Sequence, residues 1–192
     1  MKQEATFHLN FTIRRGQVED AELLAELGAR TFSETFAPDN TAEDMAAYIA
    51  SAFSPNQQAA ELADPRATFL IAETVHKTSD STGQTNNVAV GYAMIRSGDV
   101  PPEVNGEKPI ELMRLYVSRE SLGSGVGVAL MQASIHEAKQ RGHETLWLGV
   151  WERNIRAQAF YRKWNFQEVG THVFQLGDDP QTDILMQRSI SD

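Results

Sequence analysis

Apolar and polar positions in the first third of the chain predict one strand followed by three helices. The segment Phe11–Arg15 alternates as a strand does, and apolar residues then recur every three or four positions over 18–36. Thr41 is a predicted N-cap for a helix over 42–53, and a proline opens a shorter helix over 55–64. This part of the chain is therefore predicted to be mainly helical.

The rest of the chain is richer in strands. Segments 67–75 and 88–96 are predicted to pair as a hairpin across a polar loop, 76–87, which is predicted to be mobile. The remaining predicted elements are strands over 110–117, 145–151, 166–176 and 182–190, a helix from near Ser124 to near Arg141 that Gly142 stops, and a helix over 155–164. Strands and helices thus alternate in the second half.

Three glycines stand at alternate positions in the segment SLGSGVGVALMQ, immediately before an apolar run. A glycine loop that opens a helix is typical of anion sites, because its backbone N–H groups can approach a ligand closely. The dinucleotide fingerprint would need a glycine at Val128, and a P-loop would need Gly-Lys-Ser/Thr, so neither motif is present. From the glycines alone, a tight turn without a ligand is an equally good interpretation.

Length and composition narrow the class of protein. With 192 residues and 41% hydrophobic content, the chain is predicted to form a single domain over residues 1–192. The absence of cysteine excludes disulfides, zinc-thiolate sites and a cysteine nucleophile. No segment approaches the roughly 18 apolar residues of a membrane span, and the first ten residues lack the apolar region of a signal peptide. We therefore expect a cytoplasmic protein with no membrane partner.

Charge is unevenly distributed. The net charge is −9, and residues 17–64 alone carry ten acids and one base. This balance argues against a nucleic-acid partner, which would need a basic surface. The acidic segment either attracts a cationic molecule or tail, or is simply a solvated helix surface. The five histidines show no ligand spacing, so no metal site is predicted.

Two stretches, together with the order of elements, resemble the GNAT superfamily of acyl-CoA-dependent N-acetyltransferases. In LYVSRESLGSGVGVALMQ, Gly125 and Gly127 match the family's pyrophosphate loop, Gln/Arg-x-x-Gly-x-Gly/Ala, whereas Leu122 stands where Gln or Arg is expected. In LGVWERNIRAQAFYRKWNFQEVG, a strand precedes a helix that Asn154 caps and that carries Tyr161. The stretches FSETFAPDN, ELMRLYV and VFQLGDDPQTDILM further resemble the PaiA-like branch of spermine/spermidine-type acetyltransferases.

The resemblance implies a fold and a cosubstrate. The fold is an α/β, three-layer arrangement, in which a mixed, mostly antiparallel central sheet of about seven strands has splayed fourth and fifth strands and is flanked by helices. The cosubstrate is acetyl-CoA, which donates its acetyl group directly to an amine. Dimers are common in the family, so a homodimer is an expectation as well.

The resemblance also implies roles for individual residues. Tyr161 would donate a proton to the departing thiolate, and Glu111 would remove a proton from the amine, with ordered water or an exposed strand position as the alternative for Glu111. The predicted cofactor-binding residues are Leu115, Tyr116, Val117, Leu122, Gly123, Ser124, Gly125, Val126, Gly127, Asn154, Ala157, Phe160 and Tyr161.

The acceptor is less closely defined. Glu34, Asp39 and Asp44 fall in the region that shapes the acceptor pocket in the family, and they could hold a polyamine such as spermidine or spermine. A protein N-terminus or lysine is an alternative acceptor, since it is also cationic. A non-catalytic module that binds CoA is a further alternative, which the Leu122 departure favours.

Overall fold

One seven-stranded sheet organises the chain. The computed structural model describes residues 11–77 and 85–191. The strands are β1 (Phe11–Arg15), β2 (Ala67–Lys77), β3 (Thr85–Arg96), β4 (Pro109–Val117), β5 (Thr145–Trp151), β6 (Gln167–Leu176) and β7 (Asp179–Ser189). The helices are α1 (Ala21–Phe36), α2 (Ala42–Ala52), α3 (Pro55–Ala63), α4 (Val126–Gln140) and α5 (Ile155–Lys163). The strand order is β1-β2-β3-β4-β5-β7-β6, and within the described residues β4 and β5 form the one parallel pair.

Strand β2 shows why helices cover both faces of the sheet. Successive side chains of a strand point to opposite faces. Phe69 and Ile71 pack in one cluster with α1, whereas Leu70 and Ala72 pack in another with α4. The continuous apolar run of β2 thus supplies two layers of core, with α1–α3 on one side and α4 and α5 on the other. The predicted three-layer α/β fold is confirmed.

Most predicted elements are found, with shifted ends. The hairpin of β2 and β3 is confirmed, but its ladder reaches Lys77 and Thr85, because backbone pairing continues into the polar segment. The predicted mobility of that loop concerns residues 78–84, which lie outside the described residues. Strand β7 begins at Asp179, three residues earlier than predicted.

None of the helices among the described residues has the length and apolar composition needed to cross a membrane.

The ends of α4 and α5 follow from single residues in the left-handed region. Helix α4 begins at Val126, two residues later than predicted, because Gly125 is its N-cap with φ of +93°. Gly142 has φ of +79° and ends the same helix as predicted, and Asn165 has φ of +61° just beyond α5.

Strands β4 and β5 separate soon after they meet. Only residues 109–111 of β4 pair with residues 145–147 of β5. Beyond them β4 stays paired with β3 as far as Val117, through an irregularity in register near Met113. The predicted splaying of the fourth and fifth strands is therefore confirmed, and it opens a gap in the middle of the sheet.

Candidate active site

A cavity of about 1100 Å³ lies where β4 and β5 separate. Its walls include residues 112–117 of β4 and residues 149–151 of β5. These stretches do not pair with each other, so backbone N–H and C=O groups that point across the gap have no ladder partner there. An extended ligand can therefore hydrogen-bond to the edge of β4 as an added strand would.

The amino end of α4 forms part of this cavity. Gly123 and Gly125 have φ of +82° and +93°, in the region that glycine adopts without strain. The first intrahelical bond runs from the N–H of Ala129 to the C=O of Gly125, so the N–H groups of residues 126–128 have no intrahelical acceptor. Side chains cap α2, α3 and α5, whereas no side chain caps α1 or α4, and of these two only α4 begins at a glycine loop. The free N–H groups and the helix dipole together suit an anion.

Cationic side chains also line this cavity. Arg119, Arg156 and Lys163 all line the cavity, and the last two belong to α5. Sequence reasoning missed Arg156 and Lys163, because in the α5 segment they resemble an ordinary solvated helix face. Only the tertiary structure shows that they line the same cavity as the glycine loop, and their positive charge suits the phosphates of a nucleotide cofactor.

Most predicted cofactor residues do meet at the cavity. Its lining includes Leu115, Tyr116, Val117, Leu122, Gly123, Gly125, Gly127, Asn154, Ala157, Phe160 and Tyr161. Ser124 and Val126 are not part of the lining. Both the N–H and the hydroxyl of Ser124 donate to the C=O of Ser121, at 3.3 and 2.6 Å. The side chain of Val126 is buried in the core, so its backbone N–H is what it can offer a ligand.

Tyr161 is held by the start of α5 and by aromatic packing. Asn154 caps that helix as predicted, its Oδ1 accepting from the N–H of Ala157 at 3.1 Å. The Tyr161 ring packs against Phe160 and Phe166 and lines the cavity. Burial raises the pKa of the Tyr161 phenol, so it stays protonated at neutral pH and can act as a hydrogen-bond donor.

Glu111 lies at the point where β4 leaves β5, and its side chain lines the cavity. Burial raises the pKa of its carboxyl group, and the nearby positive charges of Arg96, His172 and Arg114 oppose that rise. A carboxylate with a raised pKa is a better proton acceptor than a solvated one. The position is therefore compatible with the predicted role, while the identity of the base stays a prediction.

The three acids predicted to bind the acceptor do not come together. Glu34 lines the cavity, where its Oε2 accepts from the N–H of Arg119 at 3.1 Å. Asp39 lines a separate cleft of about 120 Å³. Asp44 lies outside both, and its Oδ1 accepts from the N–H of Asp178 at 2.9 Å, which ties α2 to the turn between β6 and β7. Packing of α2 thus directs Asp44 to a structural contact.

Aromatic side chains form a wall that sequence reasoning did not identify. Phe32 stacks on Tyr48 with ring centroids 4.7 Å apart, and Phe36 meets Trp151 at 5.5 Å. Phe174 contacts Tyr48 from β6 at 5.3 Å. All five line the cavity. Their spacing in the chain gave no signal, because they come from α1, α2, β5 and β6. Aromatic faces attract alkylammonium groups and pack against methylene chains.

His172 and Asp183 are two further ionisable residues of the cavity that sequence reasoning missed. They are direct cross-strand partners of β6 and β7. Sequence spacing is uninformative for such a pair, because the register of the two strands decides which residues face each other.

A buried ion pair supports β4 beside the cavity. The guanidinium of Arg114 donates to both carboxylate oxygens of Glu61 in α3, one of them at 3.0 Å. Both side chains are less than a tenth exposed. The Arg114 guanidinium also lies 5.2 Å from the ring centroid of Phe53. This arrangement fixes the helical layer against the strand that carries Glu111.

Comparisons with known proteins agree with this geometry. Residues 23–166 match the model of the acetyltransferase (GNAT) family. A protein of Mycobacterium tuberculosis (strain H37Rv), described as an uncharacterized N-acetyltransferase, is 33% identical over 89% of this chain and 98% of its own. Another N-acetyltransferase so described, from Lactobacillus delbrueckii subsp. lactis, is 28% identical over 91% and 95%.

Solved structures show the same fold. The PaiA N-acetyltransferase of Thermoplasma acidophilum, solved in complex with coenzyme A, has a TM-score of 0.69 and 22% identity over 94% of this chain and 99% of that one. The ribosomal-protein-S18-alanine N-acetyltransferase of Escherichia coli has a TM-score of 0.62 and 20% identity over 95% of each chain. The chain therefore belongs to the acetyltransferase (GNAT) family and is an acyl-CoA-dependent N-acetyltransferase.

Proposed function

We propose that the protein transfers an acetyl group from acetyl-CoA directly to a primary amine in a ternary complex. The observation that carries the proposal is the single cavity between β4 and β5. Its lining includes the start of α4, where no side chain caps the free N–H groups, and the carboxylates of Glu111 and Asp183 together with aromatic rings. An anionic cosubstrate and a cationic acceptor can therefore meet at the gap.

The backbone supplies most of the cosubstrate contacts in this proposal. The N–H groups of residues 126–128 hold the pyrophosphate, and the open edge of β4 over 115–117 hydrogen-bonds the pantetheine arm. An N–H near Val117 polarises the thioester carbonyl and stabilises the oxyanion. A well-placed donor of this kind lowers the activation free energy by roughly 3–4 kcal/mol.

Side chains remove a proton from the acceptor and donate one to the leaving sulfur in this proposal. An alkylammonium has a pKa of about 10, so the site must remove a proton before the amine can attack. Glu111 lies in the cavity in a position to assist in this step. Tyr161, kept protonated by burial, donates toward the sulfur as the C–S bond breaks.

A polyamine is the first acceptor class to test. The aromatic wall suits methylene chains and ammonium groups together, and Glu34, Glu111 and Asp183 add negative charge to the cavity. The stretches that resemble the PaiA-like branch favour the same class. A peptide N-terminus or a lysine side chain presents the same ammonium chemistry and forms the second arm of the test.

The experiment is thiol release from acetyl-CoA across polyamines, amino acids and lysine peptides. The chain has no cysteine, so the protein adds no thiol background. Release that depends on one amine class would establish the activity and name the acceptor. Absence of release with every amine, with acetyl-CoA binding intact, would contradict the proposal.

Tyr161→Phe tests the proton donor. Because it removes only the hydroxyl, we expect kcat to fall about 100-fold while the Kd for acetyl-CoA, measured by calorimetry, stays within a factor of about three. The matched control is Tyr92→Phe, since the Tyr92 ring is fully buried and does not line the cavity. An unchanged kcat in Tyr161→Phe would remove Tyr161 from the mechanism.

A further inference from the structure

Three strands bring ionisable side chains together in the cavity. His172 comes from β6, Asp183 from β7 and Glu111 from β4, and all three line the gap. His172 and Asp183 are register partners, with Nε2 of the ring 3.7 Å from Oδ2 of the carboxylate. That is an ion-pair distance, longer than a hydrogen bond.

Gly149 of β5 makes room for this pair. A Cβ at position 149 would lie 2.8 Å from Nε2 of His172 and 3.2 Å from Oδ2 of Asp183. Nε2 is buried and has no hydrogen-bond partner among the described residues. The His172 side chain as a whole is 38% exposed. One ring nitrogen is thus enclosed beside a carboxylate, while the side chain as a whole is not enclosed and the residue lines the cavity.

The charged groups around the imidazole are mostly acidic. The pKa of His172 is raised by three carboxylates, those of Asp183 in β7, Glu111 in β4 and Glu103 in the segment before β4. Arg96 of β3 and Arg114 of β4 oppose the rise that burial causes in the pKa of Glu111. Burial and the negative charge of Asp183 both raise the pKa of the Tyr48 phenol in α2. Carboxylates from the adjacent strand β7, from β4 and from the segment before β4 would therefore compensate a positive charge on His172.

We propose that His172 is a further catalytic group of the acetyl transfer, accepting a proton from the acceptor ammonium, while Asp183 positions the ring and stabilises the imidazolium. The inference rests on the proposed function. Asp183 favours the tautomer with its proton on Nε2, which leaves Nδ1 as the acceptor. Glu111 then contributes negative charge instead of acting alone as the base.

The proton balance is complete. An N–H bond of the ammonium breaks, and its proton bonds to Nδ1 of His172. The freed amine lone pair forms the N–C bond at the thioester carbon, the C–S bond breaks, and a second amine proton replaces the one that Tyr161 supplies to the sulfur. The imidazolium releases its proton to solvent, so one proton is released per acetylation of an ammonium.

The electrostatics support this role. The Asp183 carboxylate is the main cause that raises the pKa of His172 above its ordinary 6.5, whereas partial burial opposes the rise. A base whose pKa lies near the working pH is both available in its neutral form and strong enough to take the proton.

The experiment is the pH dependence of kcat for unmodified protein, His172→Gln and Asp183→Asn, at saturating acetyl-CoA and acceptor. For unmodified protein we expect kcat to rise with pH as His172 loses its proton. In His172→Gln we expect this pH-dependent rise to disappear and kcat to fall about 100-fold, with the Kd for acetyl-CoA unchanged. In Asp183→Asn the rise should shift to lower pH, because the group that raises the pKa of His172 is gone.

His136→Gln is the matched control, because His136 lies on α4, is exposed and does not line the cavity. An unchanged pH profile in His172→Gln, or a raised KM with unchanged kcat, would overturn the proposal. If His172→Gln fails to fold, the proposal is tested by the pH profile of Asp183→Asn and by an NMR titration of the His172 ring in the unmodified protein and in Asp183→Asn. An identical pKa of the ring in these two proteins would also overturn the proposal. If unmodified protein releases no thiol with any amine, the proposed function itself has failed.

Discussion

At the scale of single residues, backbone angle separates glycines that look equivalent in the sequence. Gly125 has φ of +93° and caps α4, so any other residue there would be strained. Gly127 lies within the first turn of α4. A Cβ on it would meet Val117 at 3.7 Å and Phe160 at 4.0 Å, which are ordinary contacts. The backbone angle therefore requires glycine at position 125 but not at position 127.

This difference predicts unequal effects of alanine on cofactor binding. Gly125→Ala forces strain of about 1–2 kcal/mol into the loop that presents the free N–H groups, so we expect about 10-fold weaker acetyl-CoA binding by calorimetry. Gly98→Ala is the matched control and should stay within a factor of about two, because Gly98 has no positive φ, a Cβ there would meet nothing within 4 Å, and the residue does not line the cavity. Equal losses in both variants would contradict the assignment of strain to position 125.

At the scale of elements, β4 connects the core to the cavity. Its Arg114 is buried with Glu61 of α3, and its Glu111 marks the last pairing with β5. A buried ion pair is costly to break from one side, since the remaining charge has no compensation. The polar contact between α3 and β4 thus holds the helical layer against the strand edge that borders the cavity.

Glu61→Gln should therefore destabilise the protein. It leaves the guanidinium of Arg114 buried without a counter-charge, and we expect the free energy of unfolding in urea to fall by about 3–5 kcal/mol. The matched control is Glu168→Gln, which removes an exposed partner of Arg162 and should cost less than about 1 kcal/mol. Similar losses in the two variants would show that the pair at Glu61 is not energetically special.

At the scale of the whole molecule, charge is divided between two regions. Residues 17–64, with a net charge of −9, form the layer of α1–α3, and the other residues sum to zero because the whole chain also carries −9. The lining of the cavity also includes three cationic side chains, Arg119, Arg156 and Lys163. A cavity that borders both the acidic layer and these cationic side chains would attract a cationic acceptor as well as an anionic cosubstrate.

Salt should therefore affect acceptors according to their charge. At saturating acetyl-CoA, we expect kcat/KM for a triamine to fall more steeply with added NaCl than kcat/KM for a monoamine of the same length, because screening weakens the attraction of the acidic layer. Steady-state thiol release at several salt concentrations measures both slopes. Equal slopes would mean that the −9 segment acts only as a solvated surface.

Much of the fold and part of the site could be predicted from the sequence. The cap at Asn154, the stop at Gly142 and the left-handed Asn165 depend on a few adjacent residues, and all were found. The glycine loop and the Tyr161 helix likewise stood out as local motifs. These features are set by backbone sterics and by hydrogen bonds between near neighbours, which a sequence displays directly.

The sequence by itself thus determined the seven strands, the helices that cover them and the loop that opens α4. The splaying of β4 and β5 was expected from the family resemblance, but tertiary structure alone decided that they part after residues 111 and 147, that His172 faces Asp183, and that Asp44 caps a distant turn. The physical reason is that strand register and layer packing depend on contacts between residues far apart in the chain. Those contacts select which ionisable side chains share the cavity, and so which of them can act on one substrate.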